Sequence, residues 1–256
     1  MFSERDLTDD LAGVRDAHAP GAVVLDCERD FETLPAANRD DLALLTDAIT
    51  PHHYDEAWLP GDAPELLRRL TTTDFLVGAP GDGSVAWTTQ TDPPVVFVKA
   101  RTEGTPESFV DFLVAEALVE AGLDLPEQFL GFFEEQYRDF DAACDLDPAT
   151  VYQLAVACLD AYRGLHTREV FREWDDEFPA LYDAWVDAGE RIAPRLEDLP
   201  RELAREETSF SDATELAVSG VKHDLELPAP FAALDTLAYR KHGAGYAVKW
   251  AEKVFE

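Results

Sequence analysis

The sequence predicts a predominantly helical α+β fold, and three observations carry that reading. Alternating, β-prone runs are confined to one stretch, about residues 75–100. The stretch that follows, Thr105 to Gly122, is apolar on nearly every side of a helix, the mark of a buried one. Elsewhere apolar residues recur at steps of three and four, the spacing of a single helical face. The expected architecture is a small antiparallel β-meander, about 75–100, packed on a buried helix, about 106–121, with amphipathic helices around it. All of it is read as one domain, residues 1–256.

Taken in order, Ser3 is positioned to cap a first helix whose Leu7, Leu11, Val14 and His18 share a face before Pro20 ends it. Ala22 to Leu25 is too short to declare its period. Leu42, Leu45, Ala48 and Ile49 make a helical stripe that Pro51 stops, and Asp62 with Pro64 opens another short helix. Phe75 and Val77 alternate, as do Val85, Trp87 and Thr89, and Gly81-Asp82-Gly83 between them reads as a hairpin turn. Val95 to Val98 is apolar on both faces, so it is expected to be a covered strand, entered through Pro93 and Pro94.

Thr105, Pro106 and Glu107 form a self-consistent helix start, and Gly122 is the natural residue beyond its end. Two aromatic segments follow, Phe129 to Phe140 and Phe171 to Trp185. The second is broken at Pro179, which predicts two helices meeting near Phe178. Asp147-Pro148 opens a helix between them. A break is expected between Pro194 and Pro200, a capped helix from Asp212, and two helices around Gly243-Ala244-Gly245.

Charge is the loudest compositional feature. The chain carries 53 acidic against 21 basic residues, a net charge of -32, and only 5 of the basic residues are Lys. Self-repulsion on that scale opposes a compact state in dilute salt, whereas near 1 M salt the Debye length falls to about 3 Å and the repulsion is screened. An acidic, Lys-poor surface around an ordinary apolar core is what a salt-rich cytosol demands. Direct nucleic-acid or anionic-membrane binding is disfavoured, since phosphate contacts need clustered Lys and Arg. Three cysteines with no paired spacing suit a reducing compartment, and the N-terminus has no signal-peptide pattern. The chain is read as cytoplasmic.

Few residues point to chemistry. The Gly78–Gly83 loop precedes a strand, so it lacks the helix N-terminus that a phosphate loop needs. Glu116 and Glu120 lie one turn apart on the buried helix and are candidate acid/base or metal-binding carboxylates. His52 and His53, followed by Asp55 and Glu56, are candidate metal ligands, leaving room for a divalent metal as the one cofactor to consider. The cysteines sit among carboxylates or on an apolar stripe, which disfavours a thiol nucleophile. The C-terminus reverses the charge pattern: residues 238–256 hold Arg240, Lys241, Lys249 and Lys253 against Glu252 and Glu256. Lys241, Lys249 and Lys253 are candidate anion-binding residues, unless the terminal helix merely docks on the protein's own acidic body.

The run Gly-Asp-Gly-Ser-Val-Ala-Trp-Thr-Thr-Gln-Thr-Asp-Pro-Pro-Val-Val-Phe-Val-Lys, with its acidic flanking helices, resembles an uncharacterised family of haloarchaeal cytosolic proteins. The resemblance spans most of the chain and implies no activity. The leading expectation is a non-enzymatic interaction or regulatory protein, with a protein partner or second copy meeting its aromatic-rich helical faces. The alternatives are a metal-dependent or acid/base enzyme using Glu116 and Glu120, and an anion-binding module using the C-terminal lysines.

Overall fold

The computed structural model describes residues 2–256. In chain order the strands and α-helices are β1 (Phe2–Glu4), α1 (Asp9–His18), β2 (Val23–Cys27), α2 (Arg39–Leu42), β3 (Ala48–Ile49), α3 (Glu65–Thr72), β4 (Val85–Thr88), β5 (Thr91–Asp92), β6 (Val95–Val98), α4 (Glu107–Gly122), α5 (Phe129–Phe133), α6 (Tyr137–Cys144), α7 (Pro148–Phe171), α8 (Trp174–Glu177), α9 (Pro179–Ala204), α10 (Phe210–Ser219), α11 (Leu237–His242) and α12 (Ala244–Phe255). The fold is the expected one in class, α+β and predominantly helical. The backbone separates into two compact units. The first comprises the chain up to His53, Thr72–Glu127 and Trp174–Ala184; the second comprises Tyr54–Thr71, Gln128–Glu173 and Trp185–Glu256.

The first unit is built on a four-stranded sheet of order β1-β2-β6-β4. It is mixed rather than an antiparallel meander, because β2 and β6 run parallel with Val23 opposite Val95 while β4 and β1 pair antiparallel. The ambiguous apolar run at Ala22 is thus a strand, and β6 lies inside the sheet with all four residues buried. Phe75 and Val77, read as a strand, pack instead on one face of the sheet with Leu34, Leu42, Leu25, Ala86, Val95 and Phe97. Burying each of the Leu, Val and Phe side chains stabilises the unit by roughly 1.5–3 kcal/mol. The opposite face, which the strand pleat gives to Trp87 and Val96, is covered by α4. That helix is buried as expected and also packs against α1.

Local chemistry moves several boundaries. Thr8, not Ser3, caps α1, its hydroxyl accepting from Leu11 N at 3.4 Å. Ser3 lies in β1. The stripe from Leu42 to Ile49 is not one helix, since α2 ends at Leu42 and Ala48–Ile49 pairs with Thr91–Asp92 as β3–β5. The Gly-rich turn closes, with Asp82 N bonded to Ala79 O, but it enters β4 from a non-strand segment and so is not a hairpin.

In the second unit α7 is the axis, contacted by α5, α6, α10 and α11. Asp147 caps it as read, accepting from Ala149 N and Thr150 N at 3.1 and 3.2 Å, with Pro148 in its first turn. A left-handed Asp145 ends α6, and a positive φ at Glu134 divides α5 from α6. Ser209 caps α10, three residues before the Asp212 expected to do so. The helices do part at Phe178, between α8 and α9, yet α9 runs unbroken through Pro194 and Pro200, where a loop was expected.

Candidate functional site

The C-terminal helices α11 and α12 carry the least explained chemistry. Thr236 starts α11, its hydroxyl accepting from Tyr239 N at 3.1 Å. Buried Tyr239 donates its phenol to Cys158 O at 2.5 Å and so fixes that helix to α7. Gly243, at φ +46°, makes the corner; a Cβ there would lie 3.3 Å from the Phe132 ring. Beyond it α12 buries Ala244, Ala247, Trp250 and Ala251 and packs on α6, while the Trp250 indole donates to Pro230 O at 3.2 Å and its ring stacks on Phe210.

With its apolar side spent in this way, the pair of helices turns its cations outward. Lys241, Lys249 and Lys253 are exposed and Arg240 is half-buried. Lys249 and Lys253 stand one turn apart on the same face of α12. Among the described residues, none of these four side chains forms an ion pair or hydrogen bond. The expected alternative, docking of the basic end on the protein's own carboxylates, therefore has no ion pair from these four residues behind it here. Several arginines elsewhere are paired, Arg101 with Asp30 and Glu32 and Arg168 with Asp235 at 2.6 Å, although among the described residues Arg39 is not. Arg240, Lys241 and Lys253 sit in last turns, where a cation offsets the helix dipole by about 0.3–1 kcal/mol. Lys249 has no such reason, and its like-charged neighbour one turn on disfavours the helix by roughly 0.2–0.5 kcal/mol. Leu237, 81% exposed and one turn before Lys241, adds an apolar contact to the basic face.

The other sequence candidates fall into place separately. Glu116 and Glu120 are one turn apart on α4 as read; Glu116 is buried, and Glu120 accepts from the Trp87 indole at 2.6 Å. The His52 ring bonds instead to Glu127, which no sequence motif singled out, and His53 is exposed. Among the described residues no group of three His, Cys, Asp or Glu side chains could hold a metal ion. The thiols of Cys27 and Cys144 are pushed up to about 12 by burial, and Cys158 is raised by the same cause, so none is a ready nucleophile. In the Gly-rich loop the amides a phosphate would need are already occupied, Gly81 N by Glu32 and Gly83 N by Asp82.

Phe129, Phe133, Tyr137, Phe140, Phe171, Trp174, Phe178 and Trp185 are all buried. The aromatic faces expected to meet a partner are core. Among the described residues no helix is long and apolar enough to cross a membrane.

The fold is that of a mainly helical α+β protein with exposed cations on its C-terminal helices. The chain belongs to a family of unknown function, DUF7089, whose match spans residues 1–256. No curated protein and no solved structure matches it.

Proposed function

We propose that the protein is a non-enzymatic interaction protein of a salt-rich cytosol, and that its α11–α12 face binds an acidic, leucine-containing segment of a partner protein. One observation supports this above all: among the described residues, four cations that form no ion pair lie on two packed helices of a chain whose net charge is -32. In such a chain carboxylates are abundant, so cations left without one are placed for something external. A short segment suits the face better than a long polyanion, because repulsion from the rest of the surface grows with the length of the ligand. Leu237 favours a segment with an apolar residue among its acids.

The test is fluorescence anisotropy with a labelled Glu/Leu peptide, compared with an oligonucleotide and a phosphate-rich polyanion of equal charge. Each exposed cation contributes about 0.2–1 kcal/mol, so reversing Lys241, Lys249 and Lys253 to Glu weakens peptide binding roughly tenfold or more. Leu237→Ser weakens it without altering the salt dependence. Peptide binding indifferent to the triple reversal, or equal binding of all three probes, rejects the reading.

A further inference from the structure

We infer that a second copy of this chain docks on the α2–β3 corner of the first unit, two-fold and reciprocally, through Leu44 and Arg39. The turn between α2 and β3 projects Leu44 at 86% exposure, with Leu45 at 45% beside it, while neighbouring Leu42 is wholly buried in the core. Next to Leu44 is an open cavity lined by Arg39, Asp40, Ala43, Thr46, Asp47 and Ile49 among others, of about 360 Å³. A protruding leucine beside a hollow of ample size is the self-complementary arrangement that a two-fold contact needs, since each copy offers the same knob and the same hole.

Charge selects the occupant. Arg39, Asp40 and Asp47 line one cavity, yet among the described residues none of the three side chains forms an ion pair. A two-fold axis through the corner brings Arg39 of each copy toward the carboxylates of the other, so both signs are answered at once. A basic or an acidic partner would answer only one. At a net charge of -32 per chain the copies repel in dilute salt, and the contact forms where screening shortens the Debye length to about 3 Å.

Sedimentation velocity on the full chain, over a wide concentration range and in low and near-molar KCl, tests the inference. A dimer is expected in high salt, dissociating as salt falls. Leu44→Asp, at a site exposed enough to leave the fold intact, weakens the dimer about tenfold or more, as does Arg39→Asp. Adding Asp47→Arg to Arg39→Asp restores it. Thermal unfolding of each variant confirms the fold. A monomer at every concentration, a dimer unchanged by Leu44→Asp, or a charge swap that fails to restore what Arg39→Asp lost overturns the proposal.

Discussion

His52 Nε2 lies 3.2 Å from the Glu127 carboxylate, a side chain only 2% exposed. Glu127 also accepts from Thr88 Oγ1 at 2.9 Å, Thr89 Oγ1 at 2.7 Å, Gln90 Nε2 at 3.1 Å and the Thr89 amide. The Gln90 carbonyl oxygen of the side chain accepts in turn from His52 N and Leu76 N, and Thr50 N bonds to Gln90 O. One buried carboxylate thus ties the residue chain after β3, the β4–β5 turn and the segment past α4 into a single network.

Removing that acceptor strands several donors at once. Glu127→Ala leaves the buried Thr88 hydroxyl and the half-buried Thr89 amide and hydroxyl without their acceptor, while Gln90 Nε2 keeps Leu76 O and Thr88 Oγ1. A buried unsatisfied donor costs about 1–3 kcal/mol. A loss of about 3 kcal/mol or more in urea unfolding at constant salt is expected, with Glu127→Gln intermediate because it keeps one acceptor oxygen. A loss below about 1 kcal/mol would mean that water reaches these groups and that the network is not closed.

The same pair sets a pH dependence. The hydrogen bond to Glu127 raises the His52 pKa above its ordinary 6.5, with burial opposing it. For Glu127, burial acts to raise the pKa, but the bonds from His52 and Thr89 together outweigh it and hold the carboxyl below its ordinary 4.5. The histidine's share of stability is therefore complete below 6.5 and lost as pH rises through its raised folded value. The carboxylate's share is present above 4.5 and lost as pH falls through its depressed folded value. Stability measured against pH should decline from slightly acid toward alkaline solution in the wild type, and His52→Gln should flatten that decline. An NMR titration placing the His52 ring below 6.5 would reverse the sign.

Lys99 and Asp82 give an asymmetric prediction. The ammonium, in a side chain 0% exposed, donates to Asp82 Oδ2 at 3.1 Å and lies 4.8 Å above the Phe31 ring, whereas the Asp82 side chain is 29% exposed. Lys99→Met leaves a carboxylate that water can still reach, at a cost of about 1 kcal/mol; Asp82→Ala leaves a buried cation alone, at about 3 kcal/mol. Equal losses in chemical denaturation would contradict this account. This is the one lysine before position 222, and its retention fits a chain in which buried pairs keep their attraction when surface charge is screened.

Features governed by local chemistry were legible in the sequence. Asp147-Pro148, the break at Phe178 and the apolar girth of α4 declare themselves because capping, ring geometry and burial act within one or two turns. What stayed hidden depends on residues far apart in the chain. The parallel pairing of Val23 with Val95 comes from a distant strand, so an apparent meander became a mixed sheet. Pro194 and Pro200 carry no visible sign that α9 continues through them. Of the site candidates, the C-terminal cations were readable as a break in composition, and their lack of partners was not. Glu127 gave no signal at all: its neighbours Pro126 and Gln128 form no motif, and its role exists only where Thr88, Gln90 and His52 meet it.

Gly122 looked like a helix terminator, and its place in the packing gives it a stricter role. It is the last residue of α4, and a Cβ built there would stand 2.0 Å from the backbone oxygen of His18 at the end of α1. Backbone cannot swing aside as a flexible side chain can, so any larger residue must force the two helix ends apart. Overpacking of this kind costs typically 1–3 kcal/mol, and with backbone as the obstacle Gly122→Ala is expected at or above the upper end, about 3 kcal/mol. Gly81→Ala is the internal control: nothing lies within 4 Å of its would-be Cβ, and only its φ of +83° penalises the change, by about 1–2 kcal/mol. If the two variants unfold at the same urea concentration, the contact of α4 with α1 is looser than 2.0 Å implies, and backbone conformation alone explains the glycine.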